Sequence, residues 1–255
     1  MPEPVRVQKA LADAGVTSRR GADALVAAGR VTVNGAVAVT GQRVDPSVDA
    51  LAVDGRPVLP AGARTYLALH KPAGVTSTVS DRHARRTVID LVPPELRAAR
   101  LYPVGRLDKD SEGLILLTDD GDWTQHLLHP RYRVEREYAV GLRRPLTREQ
   151  TERLDAGIDL DEGRATLVGL RQASRLEAAR LDRSGGISPL AWYFAVLTQG
   201  WKRQLRRMFA AVGVPVERLV RVRIGTLRLG ELAPGAVRPL TRAERERLTP
   251  AGSPR

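Results

Sequence analysis

The sequence predicts an α+β protein in two parts, and three observations carry that prediction. A stretch of about fifty residues reads as two short helices followed by a hairpin. A connector rich in proline and glycine follows it. Beyond the connector, apolar and β-branched runs of strand length alternate with charged segments, one of which is an amphipathic helix. At 255 residues the chain is long enough to bury a substantial core in one or two domains.

In the first part, Val7, Ala10, Leu11 and Ala14 recur at helical spacing and Gly15 ends the helix. Ser18 caps a second helix that carries Ala22, Leu25 and Val26 on one face and stops at Gly29. Val31-Thr32-Val33 and Ala36 to Val39 flank Asn34-Gly35, a strong hairpin signal. Arg6, Lys9, Arg19, Arg20 and Arg30 are left for the surface. Arg19 and Arg20 follow the cap directly, where the positive end of a helix gains nothing from cations, so they suit phosphate binding better than helix stability.

Leu51-Ala52-Val53, a turn at Asp54-Gly55, and then Pro57, Pro60 and Gly62 place the domain break near residues 58–64, giving domains of 1–60 and 64–250. Tyr66 to Leu69 opens a new strand, turned sharply by Lys71-Pro72-Ala73-Gly74. Val88, Ile89 and Leu91 predict a short helix interrupted by Pro93-Pro94. Leu114 to Thr118, Glu135 to Val140 and Trp192 to Leu197 read as strands. A helix is expected to be capped near Thr147. Another is expected after Ala173, with an exposed loop over residues 182–186.

Charge narrows the partner. Lys and Arg number 41 against 29 Asp and Glu, a net charge of +12, and the only lysines are Lys9, Lys71, Lys109 and Lys202. Such a balance argues for a polyanion, because each neutralised phosphate releases condensed counterions. Between Gln199 and Arg228, eight cations face one anion, Glu217, which places +7 of the +12 in thirty residues. There Leu205, Met208, Phe209 and Val212 form the apolar stripe of a helix whose polar face holds Arg203, Arg206 and Arg207. No run of eighteen apolar residues spans a membrane, and the N-terminus lacks the apolar core of a signal peptide. With no cysteine, thiolate metal sites and catalytic thiols are excluded. A cytoplasmic protein directed at nucleic acid is the expectation.

Gly105 to Asp120 is the candidate catalytic stretch. Asp108 lies just ahead of the apolar run at 114–117, where rigid scaffold can hold it, and Arg106 and Lys109 beside it favour its ionised form. His126 and His129 lie three apart with no third ligand nearby, so no metal is expected. Neither a glycine-rich phosphate loop nor a serine on a glycine elbow occurs. What remains is a cofactor-free reaction on RNA, centred on one carboxylate acting as nucleophile or base. A planar ring would stack on an extruded base and an arginine would keep the aspartate ionised.

Two resemblances sharpen this. The ordered pattern QKALADAGVTSRRGADALVAAGRVTVNG, within residues 5 to 50, resembles the small RNA-binding domain shared with small-subunit ribosomal protein four, the S-four fold. It implies that structured RNA is read through Arg and Lys contacts to phosphate. Gly105-Arg106-Leu107-Asp108 with Gly113-Leu114 and Leu117 to Gly121 is similar to the signature of pseudouridine synthases. His70-Lys71-Pro72-Ala73-Gly74, Arg136-Glu137-Tyr138, Arg203 to Met208 and Arg218 to Gly225 follow in family order. The nearest branch is the RsuA/RluB type, which carries an N-terminal S-four domain.

The resemblance implies a catalytic domain with a large mixed, mostly antiparallel sheet. It implies Asp108 as the catalytic carboxylate, Tyr138 stacked on the target uracil, Arg206 paired with Asp108, and Leu219 lining the uracil pocket. It also implies isomerisation of uridine in ribosomal RNA, with 23S favoured over 16S, or action on a ribosomal assembly intermediate, by a monomer with no cofactor and no small-molecule substrate. Arg106, Lys202, Arg203 and Arg207 join the N-terminal cations as expected RNA contacts. A non-catalytic ribosome-assembly factor using the same folds is the alternative. Ser111, Asp119 and Arg136 depart from the usual threonine, asparagine and lysine. Trp201 replaces a usual arginine, and either stacks on RNA or packs.

Overall fold

A computed structural model describes residues 3–59, 62–80, 85–97, 100–183 and 189–249. The chain divides into two compact units: Met1–Thr65 with Arg97–Leu101 and Thr118–Gly121, and Tyr66–Leu96 with Tyr102–Leu117 and Asp122–Arg255.

The first unit holds α1 (Val7–Asp13), α2 (Arg19–Ala27), β1 (Val31–Val33), β2 (Ala36–Val37) and β3 (Leu51–Val53). The hydroxyl of Ser18 accepts from the Gly21 N–H at 2.9 Å, the expected N-cap. Asn34 and Gly35 both take positive φ, 51° and 83°, the geometry that matches a two-residue turn to the twist of its strands. The second strand is shorter than its apolar run predicts. It ends at Val37, and Val39 is 66% exposed. β1 pairs antiparallel with both β2 and β3. Val7, Leu11, Ala22, Val26, Val31, Val33 and Leu51 close the small core beneath.

The second unit is built on β5 and its successors, β4 being the short strand Arg56–Pro57 of the first. In chain order they are β5 (Tyr66–Lys71), β6 (Glu112–Thr118), α3 (Gly121–Leu128), β7 (Arg136–Leu142), α4 (Arg148–Ala156), β8 (Gly169–Gln172) and α5 (Arg175–Arg183). Then come β9 (Ala191–Leu197), α6 (Gln204–Ala211), β10 (Arg218–Ile224), β11 (Val237–Pro239) and α7 (Arg242–Leu248). A nine-stranded sheet runs in the order β8-β9-β7-β10-β6-β5-β11, with two short strands added at β6 and β10. β8/β9, β9/β7, β7/β10 and β5/β11 are antiparallel, whereas β10 and β6 are parallel, so the sheet is mixed and mostly antiparallel.

Both faces of the sheet are covered, which explains why β9 reads as a nearly unbroken apolar run. Tyr193, Ala195 and Leu197 pack with Leu205, Met208 and Phe209 of α6 and Leu154 of α4. Trp192 and Phe194 join Ala139, Leu190 and Val220 in a separate cluster. Thr147 caps α4 in a full capping box with Gln150. Gly113 sits at the parallel join with φ +105°, and a Cβ there would lie 2.3 Å from the Arg221 carbonyl oxygen. Only glycine allows β6 to approach β10 so closely.

One predicted element is absent. Residues 87–92 form turns instead of a helix. The Asp90 carboxylate accepts from the Thr87 N–H and hydroxyl at 2.7 and 2.9 Å, and Val92 precedes a proline, which disfavours helical backbone. Val88 and Val92 are buried, so the apolar residues reach the core from turns. The loop expected at 182–186 lies mostly outside the described residues.

Candidate active site

Asp108 lies on a turn between Gly105 and the start of β6, and three anchors hold that turn. The buried Ser77 hydroxyl donates to the Leu107 carbonyl at 2.8 Å and accepts from the Leu107 N–H at 3.1 Å. The Gly74 N–H donates to the Lys109 carbonyl at 2.7 Å, and the Lys71 ammonium donates to the same oxygen at 3.2 Å. The turn is closed by the Ser111 N–H donating to the Asp108 carbonyl. Backbone bonds thus fix the main chain on both sides of Asp108 and leave its carboxylate one-third exposed.

That carboxylate faces a cleft of about 1050 Å³ within the second unit, lined by Leu107, Ser111, Leu116, Arg136, Tyr138, Leu219, Arg221 and others. The sheet brings these residues together. β7 and β10 pair with Tyr138 opposite Arg221 and Val140 opposite Leu219, so the two-residue period places all four side chains on one face. Leu219 is buried and Tyr138 partly so. Asp108, Tyr138 and Leu219, which are 30 and 81 residues apart in the chain, share one cleft. Arg106, Lys202 and Arg203 are exposed at the same cleft.

The expected partner of Asp108 is corrected by this geometry. Arg206 does not line the cleft. Its guanidinium donates to the Val216 carbonyl at 2.9 Å and the Asp110 carbonyl at 3.2 Å, and lies 3.3 Å from the Asp110 carboxylate. The cation nearest Asp108 is Arg203, at 3.8 Å, and Arg203 itself forks onto Asp110 at 3.0 and 3.2 Å. Arg203 takes φ +50° at the N-cap of α6 and Arg206 follows one turn on, so the two share a helix face and both reach Asp110. Burial alone would raise the pKa of Asp110, but the Arg203 hydrogen bonds and the charges of Arg206 and Arg203 outweigh it and hold the carboxyl below its ordinary value. Asp110 is therefore the anchor for both arginines.

Other expected RNA contacts are also engaged. Arg207 forks onto Glu162 at 2.7 and 2.8 Å and reaches Asp161 at 3.4 Å. Its counter-charges sit in the hairpin of Ile158–Leu160 and Gly163–Ala165, forty-five residues away in sequence. Lys9 pairs with Asp13 at 2.6 Å, and Arg30 with Asp54. Arg6, Arg19 and Arg20 are exposed and have no ion pair among the described residues. Trp201 lies at the cleft with its ring packed against the main core and over Gly163.

Two buried cations were not singled out by the sequence. Lys71 is fully buried and, among the described residues, donates only to the carbonyls of Pro72 and Lys109. Burial pulls its pKa down to about 8 against the opposing charges of Asp110, Glu112 and Asp108. Its signal was a lysine closing the apolar run Leu67-Ala68-Leu69. Arg221 is 3% exposed, and its Nε donates to the Leu114 carbonyl at 2.7 Å. Nothing local marked it among the neighbouring arginines of β10.

Residues 65–211 match the RNA pseudouridylate synthase family and residues 5–49 the S4 domain. An uncharacterised RNA pseudouridine synthase of Mycobacterium leprae is 40% identical over 96% of this chain and 92% of its own length. The ribosomal large subunit pseudouridine synthase B of Pseudomonas aeruginosa is also 40% identical, over 96% of this chain and 61% of its own. A crystal structure of a pseudouridylate synthase superposes with a TM-score of 0.63 at 27% identity, covering 96% of this chain and all of that one. With its S4 domain followed by a synthase domain on a large mixed sheet, the chain belongs to the RsuA/RluB family of RNA pseudouridine synthases, which are isomerases.

Proposed function

We propose that this chain converts one uridine of 23S ribosomal RNA to pseudouridine, with Asp108 as the catalytic carboxylate and Tyr138 stacked on the target base. The observation that carries the reading is the convergence of Asp108, Tyr138 and Leu219, from three separate elements, on one cleft. The 23S target rests on the similarity to enzymes named for the large ribosomal subunit. Residues 1–60 serve as the RNA-binding domain and 64–250 as the catalytic domain, in a cytoplasmic monomer that needs no cofactor. No described helix is long and apolar enough to cross a membrane.

Within this reading the target uridine is flipped from its stack at a cost of about a few kcal/mol, which phosphate contacts offset. Arg6, Arg19 and Arg20 supply such contacts in the N-terminal domain, and Arg106 and Lys202 at the cleft. Asp108 then acts on the ribose while Tyr138 and Leu219 hold the base. Arg203 neighbours the Asp108 carboxylate, and Arg206 acts one step behind it, through Asp110.

The test is incubation of the purified protein with unmodified 23S and 16S transcripts, followed by mapping of pseudouridine. Product at one 23S position is expected. Asp108→Asn should lower the rate by about 10⁴-fold or more while RNA affinity stays within about twofold. Product only in 16S RNA would reassign the target, and turnover that survives Asp108→Asn would remove Asp108 from the reaction.

A further inference from the structure

The floor of the cleft carries positive charge that the protein itself does not neutralise. Of the eight cations between Gln199 and Arg228, six lie within 4 Å of a carboxylate: Arg203, Arg206, Arg207, Arg218, Arg223 and Arg228. Lys202 is exposed to water. Arg221 is the exception, because it is buried, lines the cleft, and has no carboxylate partner among the described residues. Its Nε is spent on the Leu114 carbonyl, and its Nη2 is buried with no hydrogen-bond acceptor.

Arg136 lines the same cleft and, among the described residues, donates only to the Leu127 carbonyl, at 3.0 Å. Burial lowers its pKa, Tyr138 opposes that effect, and the charge of Arg221 adds to it, so the two guanidiniums repel each other across the pocket. Leaving a buried cation without an acid is costly, and on the same strand Arg218 and Arg223 are paired with Glu112 and Glu137. The placement is also tightly fixed. Arg221 stands opposite Tyr138 in the register, and its backbone is pressed against Gly113.

The isomerisation creates an anion at this place. When the C1′–N1 bond breaks, its electron pair leaves with the base, and the detached uracil carries one negative charge spread over N1 and its carbonyl oxygens. After the base turns, C5 bonds to C1′, the proton on C5 is lost, and N1 takes up a proton, so reactant and product are isomers. We propose that Arg221, supported by Arg136, takes up the negative charge of the detached uracil and holds the base while it turns. The inference rests on the synthase reading of the site. A phosphate is a poorer fit to the floor, because Tyr138 stands opposite Arg221 and Leu219 lies two residues before it on the same face, whereas the exposed Arg106 and Lys202 stand at solvent. A preorganised donor aimed at developing charge is worth about 10²–10³-fold in rate.

The experiment compares single-turnover cleavage of the N-linked nucleoside in two RNAs, one with uridine and one with 5-fluorouridine at the modified position. Both are made from whichever RNA the wild type is first shown to modify. Fluorine stabilises the uracil anion by itself, so the demand on the protein falls. Arg221→Gln should slow the uridine RNA by about 10²-fold and the fluorinated RNA by about tenfold or less, with an unchanged dissociation constant for RNA. Arg221→Lys, which keeps the charge, should recover part of the rate on uridine. Equal losses on the two RNAs, or no loss on either, would overturn the inference. If Arg221→Gln fails to fold, Arg136→Gln carries the same comparison with the same two readings. Wild-type turnover on 16S RNA alone would count against the 23S assignment and leave the Arg221 comparison intact.

Discussion

The arginines after Ser18 and the arginines of α6 look alike in sequence, since each group opens a short helix with clustered cations. Their surroundings in the folded chain differ. Arg19 and Arg20 are exposed with no ion pair among the described residues, whereas Arg203, Arg206 and Arg207 are held by Asp110, Glu162 and Asp161. Charge counted along the chain is therefore not charge available to RNA. The N-terminal group can release counterions from phosphate. The α6 group is largely spent on fixing the Asp108 turn and the hairpin beside it. Its helix contributes geometry, and the neighbouring Arg106 and Lys202 contribute accessible charge.

Four measurements would break or sharpen that contrast. The largest effect is expected at Lys71, the buried cation of the anchored region. Its folded pKa of about 8 lies below the 10.5 of an unperturbed lysine, so the unfolded chain binds more protons between those values. Stability contributed by this group therefore rises with pH from 8 to 10.5. Relative to Lys71→Met, the wild type should gain up to about 3 kcal/mol across that window in urea unfolding. A flat difference would mean that Lys71 titrates in the folded protein as an unperturbed, solvated lysine.

Next is Asp110→Ala, which releases Arg203 and Arg206 together. A misplaced turn should lower the single-turnover rate by about 10²-fold, while RNA affinity holds or tightens because two cations are freed. Weaker binding would show that these arginines contact RNA only when anchored. Third, replacing Arg19 and Arg20 with alanine should weaken RNA binding by about tenfold and reduce the slope of log affinity against log salt by about 1.5. The smallest effect belongs to Arg207→Gln. Its charge is already matched by Glu162, so RNA affinity should move by less than about twofold. A tenfold loss would return Arg207 to the RNA-binding surface.

Much of the fold was legible because it rests on local rules. Ser18 and Thr147 cap helices where capping chemistry predicts, Asn34-Gly35 turns the hairpin, and the run at 114–118 forms a central strand. Residues 87–92 escaped, because Asp90 offers the backbone a turn that competes with helix, and periodicity does not register such a competitor. The nearly continuous apolar run of β9 was readable as a strand, yet only the packing of both sheet faces explains why it does not alternate.

At the site, the sequence by itself determined the chemistry on offer: one aspartate ahead of a core strand, an aromatic within another strand, and an excess of arginine without cysteine or metal-ligand spacing. Residue type and short spacing carry that information directly. The tertiary structure alone decided how those groups are allotted. Asp110 rather than Asp108 takes Arg203 and Arg206, Lys71 and Ser77 anchor the turn, and Arg221 reaches the cleft floor without a counter-charge among the described residues. Each of these depends on partners 30 to 107 residues away in the chain. Strand register sets the distance between such groups. Since Coulomb and hydrogen-bond energies fall steeply with distance, which pairs form is a property of the packed sheet.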